Sequence, residues 1–255
     1  MKSIEVLFTP ADFQALRQRD LSEATCVVFD VLRATTTLVT ALANGALAVA
    51  PAADIPEALA RRAHEAGVLL AGERDGLRIR GTLAGGVDFD LGNSPREFGP
   101  ERIGGKRIAM TTTNGTRALR ACAGAAAVLP ASLRNVGATA AWVARHAAGE
   151  LLVVCSGTHE DAAYEDVLGA GALVDRLWAA LESVPVMDSA RLARNTYRSA
   201  AGELAGAMAS HSRNARRLLA IPDLAPDVAT CAAEDDLSLV ARLDDDGWIR
   251  LVGEG

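Results

Sequence analysis

Apolar residues in this chain fall into short continuous runs rather than strict alternation. Runs at 5–8, 26–30, 48–50, 68–71, 107–111, 127–129 and 151–155 predict strands covered on both faces. Between them, helical spacing predicts helices over 11–19, 36–44, 55–66, 116–122 and 133–146. A longer helix is expected over 164–183, where Gly169, Ala170, Gly171 and Ala172 let it approach the sheet closely. Strands alternating with helices indicate an α/β fold of three α/β/α layers around a mainly parallel, mixed sheet. From 188 to 231 no strand pattern is visible. That stretch reads as short helices with basic faces, broken at Pro222 and Pro226, forming a helical part over about 188–235. A last strand, 248–252, follows an acidic run at 244–246 that reads as a solvated turn, with metal binding as the alternative.

The pattern repeats once. Thr35-Thr36-Thr37 leads through a helix to GALAVAP at 45–51, and Thr111-Thr112-Thr113 leads through a helix to GAAAVLP at 124–130. A duplication of about 25–51 and 107–130 and a convergence of similar units explain this equally well. Both place a hydroxyl-rich turn at the carboxyl end of a parallel strand, the edge where open α/β sheets bind ligands.

Composition narrows the picture. The 255 residues, half of them apolar, suit a single α/β domain, and 4% aromatics imply a core of small side chains. Lys+Arg at 26 against Asp+Glu at 32 gives a net charge of −6, which argues against a nucleic-acid partner. The opening MKSIEVLFTPADF has no leader pattern and no run is long enough for a bilayer, so a cytoplasmic protein without a membrane partner is expected. Cys26, Cys122, Cys155 and Cys231 form no CxxC pair and read as buried free thiols. A homodimer is left open.

The turns carry the candidate chemistry. A helix start offers unpaired N–H groups to an anion, Thr35, Thr36 and Thr37 add hydroxyls, and Arg33 adds a planar fork. Helix capping is the competing explanation for the threonines. The second turn, with Thr112, Thr113, Asn114, Gly115, Thr116 and Arg117, repeats the recipe, and a third strand end supplies Ser156, Gly157 and Thr158. Asn93 and Ser94 offer a further polar wall, and His159 sits beside the third turn. Three such ends point to a small substrate rich in negative oxygens. Carboxylates facing an anion site need a cation between them, and Mg2+ is the hard, oxygen-liganded choice. Asp30 and Glu73 are the first candidate ligands, followed by Glu165 or Asp166.

Familiar alternatives fail on inspection. Six positions after the four cysteines stand Leu32, Val128, Asp161 and Leu237, so the cysteine-phosphatase loop is absent. Asp30-Val31-Leu32 is not the DxD of aspartyl-phosphate enzymes, which ranks a phosphoenzyme second. Pro100 stands where a Walker loop ending in Gly105-Lys106 needs glycine, and the chain contains neither GxGxxG nor GxSxG. His64, His146, His159 and His211 have no zinc spacing.

With these residues assembled, the chain resembles the ComB family of 2-phosphosulfolactate phosphatases. The resemblance rests on FDVLRATTTLVTALANGA (29–46), AGER (71–74), DLGNSP (90–95), TTTNGTRAL (111–119), and CSGT (155–158) with Glu165-Asp166. Asp227-Val228-x-x-Cys231-x-x-x-Asp235 looks like the family's closing pattern. The resemblance implies a magnesium-dependent hydrolase converting 2-phosphosulfolactate to 3-sulfolactate and phosphate, on the route to coenzyme M. Catalysis would fall to Asp30, Arg33 and Glu73, and the phosphate, carboxylate and sulfonate would engage the three turns with Arg33, Arg74 and Arg117. A phosphatase for another small phosphorylated acid and a non-catalytic phospho-acid-binding module are the rivals. A phosphotransferase suffers from the missing nucleotide loop.

Overall fold

The computed structural model describes residues 1–253. Its strands are β1 (Ser3–Leu7), β2 (Thr25–Phe29), β3 (Ala48–Pro51), β4 (Leu69–Arg74), β5 (Leu77–Arg78), β6 (Arg107–Thr111), β7 (Ala127–Ala131), β8 (Glu150–Cys155), β9 (Ala241–Leu243) and β10 (Ile249–Leu251). The helices are α1 (Pro10–Gln14), α2 (Ala34–Ala43), α3 (Ile55–His64), α4 (Pro100–Ile103), α5 (Gly115–Ala121), α6 (Val136–His146), α7 (Tyr164–Leu177), α8 (Asp188–Ala200), α9 (Leu204–His211), α10 (Arg213–Leu219) and α11 (Ala225–Ala232). The C-terminal stretch is helical as the sequence indicates, although α8 runs for 13 residues. No helix among the described residues is long and apolar enough to cross a membrane.

The strands form two sheets where the sequence suggests one. The first is wholly parallel, in the order β1-β8-β2-β7. The second runs β5-β4-β6-β3-β10-β9, parallel at its centre and antiparallel at both edges. The period-2 alternation of strand side chains explains how both are covered. In β2, Val27 and Phe29 face a core shared with α6, α7 and α8, whereas Cys26 and Val28 face a second core. That second core also takes Val49 of β3, Ile108 and Met110 of β6, and the apolar faces of α2 and α5. Ala48, Ala50, Leu70 and Ala109 turn the opposite way, toward Ala58 of α3. Each sheet therefore lies between helical layers, and α2 with α5 is the layer they share.

The internal echo has a structural counterpart. Helix α2 leaves β2 in the first sheet and feeds β3 in the second, while α5 leaves β6 in the second and feeds β7 in the first. β2 pairs with β7 and β3 with β6, both parallel. The two units thus cross between the sheets in opposite directions, and their two turns come together.

Small residues set the spacing around α7. Gly169 faces Phe29 and Val31, as expected for close approach to the sheet. Gly171 instead makes room for α8, since a Cβ there would strike the Ala193 carbonyl and Tyr197. The acidic run at 244–246 is a turn in which Asp244 and Asp246 accept from Arg250, each at 2.7 Å. All four cysteines are free and buried. Gly171→Ala should destabilise the protein by about 1–3 kcal/mol through overpacking, read as a lower urea midpoint with an unchanged slope. An unchanged midpoint would show that α8 does not need the glycine.

Candidate active site

The carboxyl ends of β2, β4, β6 and β8 open into one cleft. Asp30, Arg33, Glu73, Asn93, Thr112, Thr113, Asn114, Gly157, Thr158 and His159 line it, together with Leu32, Asp75, Gly76, Asn214, Arg217 and Leu218. Asp30 follows β2 directly. Its Oδ1 accepts from the Ala34 N–H at 3.0 Å, so this carboxylate, and not a threonine, caps α2. Gly115, from the opposite crossover, lies against it: a Cβ there would stand 2.5 Å from Asp30 Oδ2 and 2.6 Å from the Ala34 side chain. The Asn-Gly turn therefore serves close approach between the two units.

The other acids are held by N–H and hydroxyl donors. Glu73 accepts from the Thr113 N–H and hydroxyl, both at 2.9 Å, and from the Gly76 N–H at 2.7 Å. It thereby ties the end of β4 to the turn after β6. Asp166, buried on α7, accepts from the Val31 N–H at 2.8 Å and the Gly157 N–H at 3.0 Å, which joins the ends of β2 and β8. Glu165, also buried, accepts from the Ser212 hydroxyl and the Asn214 amide, each at 2.6 Å, and so fastens α10. Burial, together with Glu73 and Glu165, pushes Asp30 up to about 7 against the Ala34 N–H and Arg33, which oppose the shift. Burial, with Asp30 and Glu165, pushes Asp166 well above the usual carboxylate range.

Several expected anion ligands have other partners. The hydroxyls of Thr35, Thr36 and Thr37 are fully buried and donate to the carbonyls of Asp30, Val31 and Asn93 at 2.9–3.0 Å. They shape the turn and do not line the cleft. Thr116 donates to the Thr112 carbonyl and Ser156 to the Phe29 carbonyl. Arg74 turns to Thr111, and Arg117 forms an exposed pair with Glu160 at 3.3 Å. Neither lines the cleft.

Arg33 does line it, but as one member of a buried pair. Its Nη1 donates to Asp227 of α11 at 2.7 Å and its Nη2 to the Gly76 carbonyl at 2.7 Å. Asp227, wholly buried, also accepts from the Ser94 hydroxyl at 2.7 Å and Arg96 Nε at 2.8 Å. Ser94 is thus spent on Asp227 and is no cleft wall. Nothing in the sequence assigns a role to Asp227, Asn214 or Arg217 beyond the closing pattern around Asp227 and the basic faces of the short helices over 188–231.

Among the described residues no group of three or more His, Cys, Asp or Glu is poised around a metal. Asparagine oxygens supply a different donor set: Asn93 Oδ1 and Asn114 Oδ1 are buried without a hydrogen-bond partner. For Asn114 the orientation is fixed, because its Nδ2 donates to the Ser156 and His159 carbonyls, both at 3.0 Å. Orphaned acceptors beside Asp30 are unusual in a folded protein and mark a place for a donor or a cation.

A profile of the family described as 2-phosphosulpholactate phosphatase matches residues 11–246. The chain belongs to that family. A Synechococcus sp. protein named probable 2-phosphosulfolactate phosphatase is 40% identical over 90% of this chain and 93% of its own length. Relatives of the same name are 39% identical in Thermotoga petrophila, covering 86% and 88%, and 36% identical in Pseudothermotoga lettingae, covering 97% and 98%. The family match covers both sheets apart from β1 and β10, and it takes in the Asp227 network of this phosphatase family member.

Two outcomes follow for the site. Folded Asp30 keeps a proton up to about pH 7, whereas the unfolded chain releases it near the ordinary 3.8. The unfolded state then binds fewer protons between those values, so stability falls as pH rises from about 4 to about 7. Asp166, shifted the same way, adds to the slope. Melting in chelator should be lower at pH 8 than at pH 6, and Asp30→Asn should make the slope shallower; a melting temperature that rises over this interval would refute the assignment. Asp227→Ala, which strands Arg33, should cost about 3–5 kcal/mol in urea unfolding.

Proposed function

We propose that this cleft hydrolyses 2-phosphosulfolactate to 3-sulfolactate and phosphate with bound Mg2+. The observation that carries the reading is a cleft lined by the carboxylates of Asp30 and Glu73 together with the guanidinium groups of Arg33 and Arg217, in a member of this family. A small substrate with several anionic groups suits that polarity. The four free thiols fit a reducing compartment, and a cytoplasmic location is part of the proposal.

The donor chemistry fits magnesium. Asp30 Oδ2, with Asn93 Oδ1 and Asn114 Oδ1, would hold the ion, an all-oxygen set of the kind it prefers. When bound, magnesium would neutralise phosphoryl charge and draw electron density from the phosphorus. The chain's own residues supply the remainder. The Ala34 N–H fixes one oxygen of Asp30 and so aims the other. Glu73, already oriented by Thr113 and Gly76, takes the proton of the attacking water through a remaining lone pair. Arg33, held rigid by Asp227, offsets charge gathering on the equatorial oxygens. Glu165 and Asp166, whose oxygens already accept from Ser212, Asn214, Val31 and Gly157, support the loops rather than the ion in this scheme.

Phosphate release should be measured for 2-phosphosulfolactate and a panel of other phosphorylated acids, with Mg2+ or with EDTA. The expected result is Mg2+-dependent release from phosphosulfolactate, reduced at least about 100-fold by Asp30→Asn without loss of fold. Release from other esters alone would replace the substrate. Binding without release would favour a sensing module, and wild-type rates in Asp30→Asn would remove Asp30 from the machinery.

A further inference from the structure

We propose that Arg217 reads the sulfonate of the substrate and that α10 is the specificity element of the cleft, an inference that rests on the phosphosulfolactate reading above. Arg217 and Arg33 converge on Gly76. The position of a Cβ on that glycine lies 3.3 Å from Arg217 Nη2 and 3.9 Å from Arg33 Nη2. Two guanidinium groups this close repel each other unless an anion joins them. Glu73 and Asp75 flank Gly76 in the same cleft, but among the described residues neither forms an ion pair with either guanidinium. Asp227 already serves Arg33 and Arg96, and Arg217 has neither an ion-pair nor a hydrogen-bond partner among the described residues. The neighbouring arginines are engaged: Arg74 with Thr111, Arg117 with Glu160, and Arg213 with Asp161. Arg217 is therefore the cleft's uncommitted cation.

Its placement is built. Ser212 caps α10 by accepting from the Ala215 N–H at 2.9 Å, and its own hydroxyl donates to buried Glu165. Asn214 donates to Glu165 and to the Thr158 hydroxyl, each at 2.6 Å. These bonds pin the helix to α7 and to Thr158 of the cleft wall, one turn from Arg217. Gly76, at φ 78°, leaves open the space that a side chain would fill beside the two guanidinium groups.

Sulfonate is the substrate group that fits there. It is permanently charged, weakly basic and a poor ligand for a hard cation, so N–H donors are its natural partners. The phosphoester and the carboxylate sit on adjacent carbons, and both are drawn to the cation that Asp30, Asn93 and Asn114 would hold. The sulfonate is carried on the carbon to the other side and can extend toward Arg217.

The test compares 2-phosphosulfolactate with 2-phospholactate, which keeps the phosphate and carboxylate and lacks the sulfonate. In Arg217→Gln the ratio of kcat/KM between these substrates should fall about 10- to 100-fold, mostly through KM, with partial recovery in Arg217→Lys. Melting should be unchanged, because Arg217 is exposed and unbonded. Equal losses on both substrates, or an unaltered ratio, would overturn the assignment. If the wild-type protein releases no phosphate from phosphosulfolactate, the wider reading fails, and calorimetry then decides Arg217 separately. Tighter binding of 3-sulfolactate than of lactate, abolished by Arg217→Gln, supports it; equal binding of the two refutes it.

Discussion

The structure turns on four carboxylates gathered where parallel strands end, none of them in an ion pair among the described residues. Asp30, Glu73 and the adjacent pair Glu165 and Asp166 come from three different segments, and three of the four are almost wholly buried. Partial charges stabilise them in place of ion pairs: main-chain N–H groups of Ala34, Val31, Gly157, Thr113 and Gly76, with hydroxyls of Thr113 and Ser212. Each such bond also fixes a loop. Electrostatic stabilisation of the acids and the geometry of the cleft are therefore one arrangement. The remaining cost shows in the raised proton affinity of Asp30 and Asp166.

The two crossovers make this gathering feasible. Because α2 and α5 pass between the sheets in opposite directions, the turn after β2 and the turn after β6 meet across the shared helical layer. Gly115 permits the contact, and Glu73 from β4 bridges to the same turn. The C-terminal helices complete the cleft from outside the sheets. Asp227 reaches Arg33 across 194 positions of sequence, and α10 reaches Glu165 through Ser212 and Asn214. A chain ending after α7 would have the four acids but neither Asp227, which holds Arg33, nor Arg217.

Local signals carried much of this in the sequence. Continuous apolar runs located eight of the strands, and the hydroxyl-rich turns marked the strand ends that form the cleft. The two-residue β5 and the three-residue β9 are too short to leave a periodic trace. The division into two sheets was hidden for another reason: an apolar strand records that both faces are covered, not which strand lies beside it. The threonines misled in a specific way. A hydroxyl at a helix start suits an anion and a carbonyl equally, and only the folded turn, with Asp30 and Val31 five residues back and Asn93 brought in from afar, shows that carbonyls took all three. Arginine posed the same problem. Arg33, Arg74, Arg117 and Arg217 look alike in sequence, and their difference lies in whether a distant acceptor reaches them.

That difference bears on how such a site discriminates. An arginine already paired with a buried aspartate contributes rigid, oriented charge and is costly to move, which suits a group that changes during reaction. An unpaired arginine at the rim contributes binding that is lost when its anion is missing, which suits a group that must only be recognised. Arg33 and Arg217 meet at Gly76 with these two characters, one tied to α11 and the other carried by α10. The acids show the same division: both oxygens of Glu165 and of Asp166 have donors, whereas among the described residues only one oxygen of Asp30 does. The residues that hold the site together are thus distinct from those left free to act, and the cleft can exchange ligands without losing the contacts that define it.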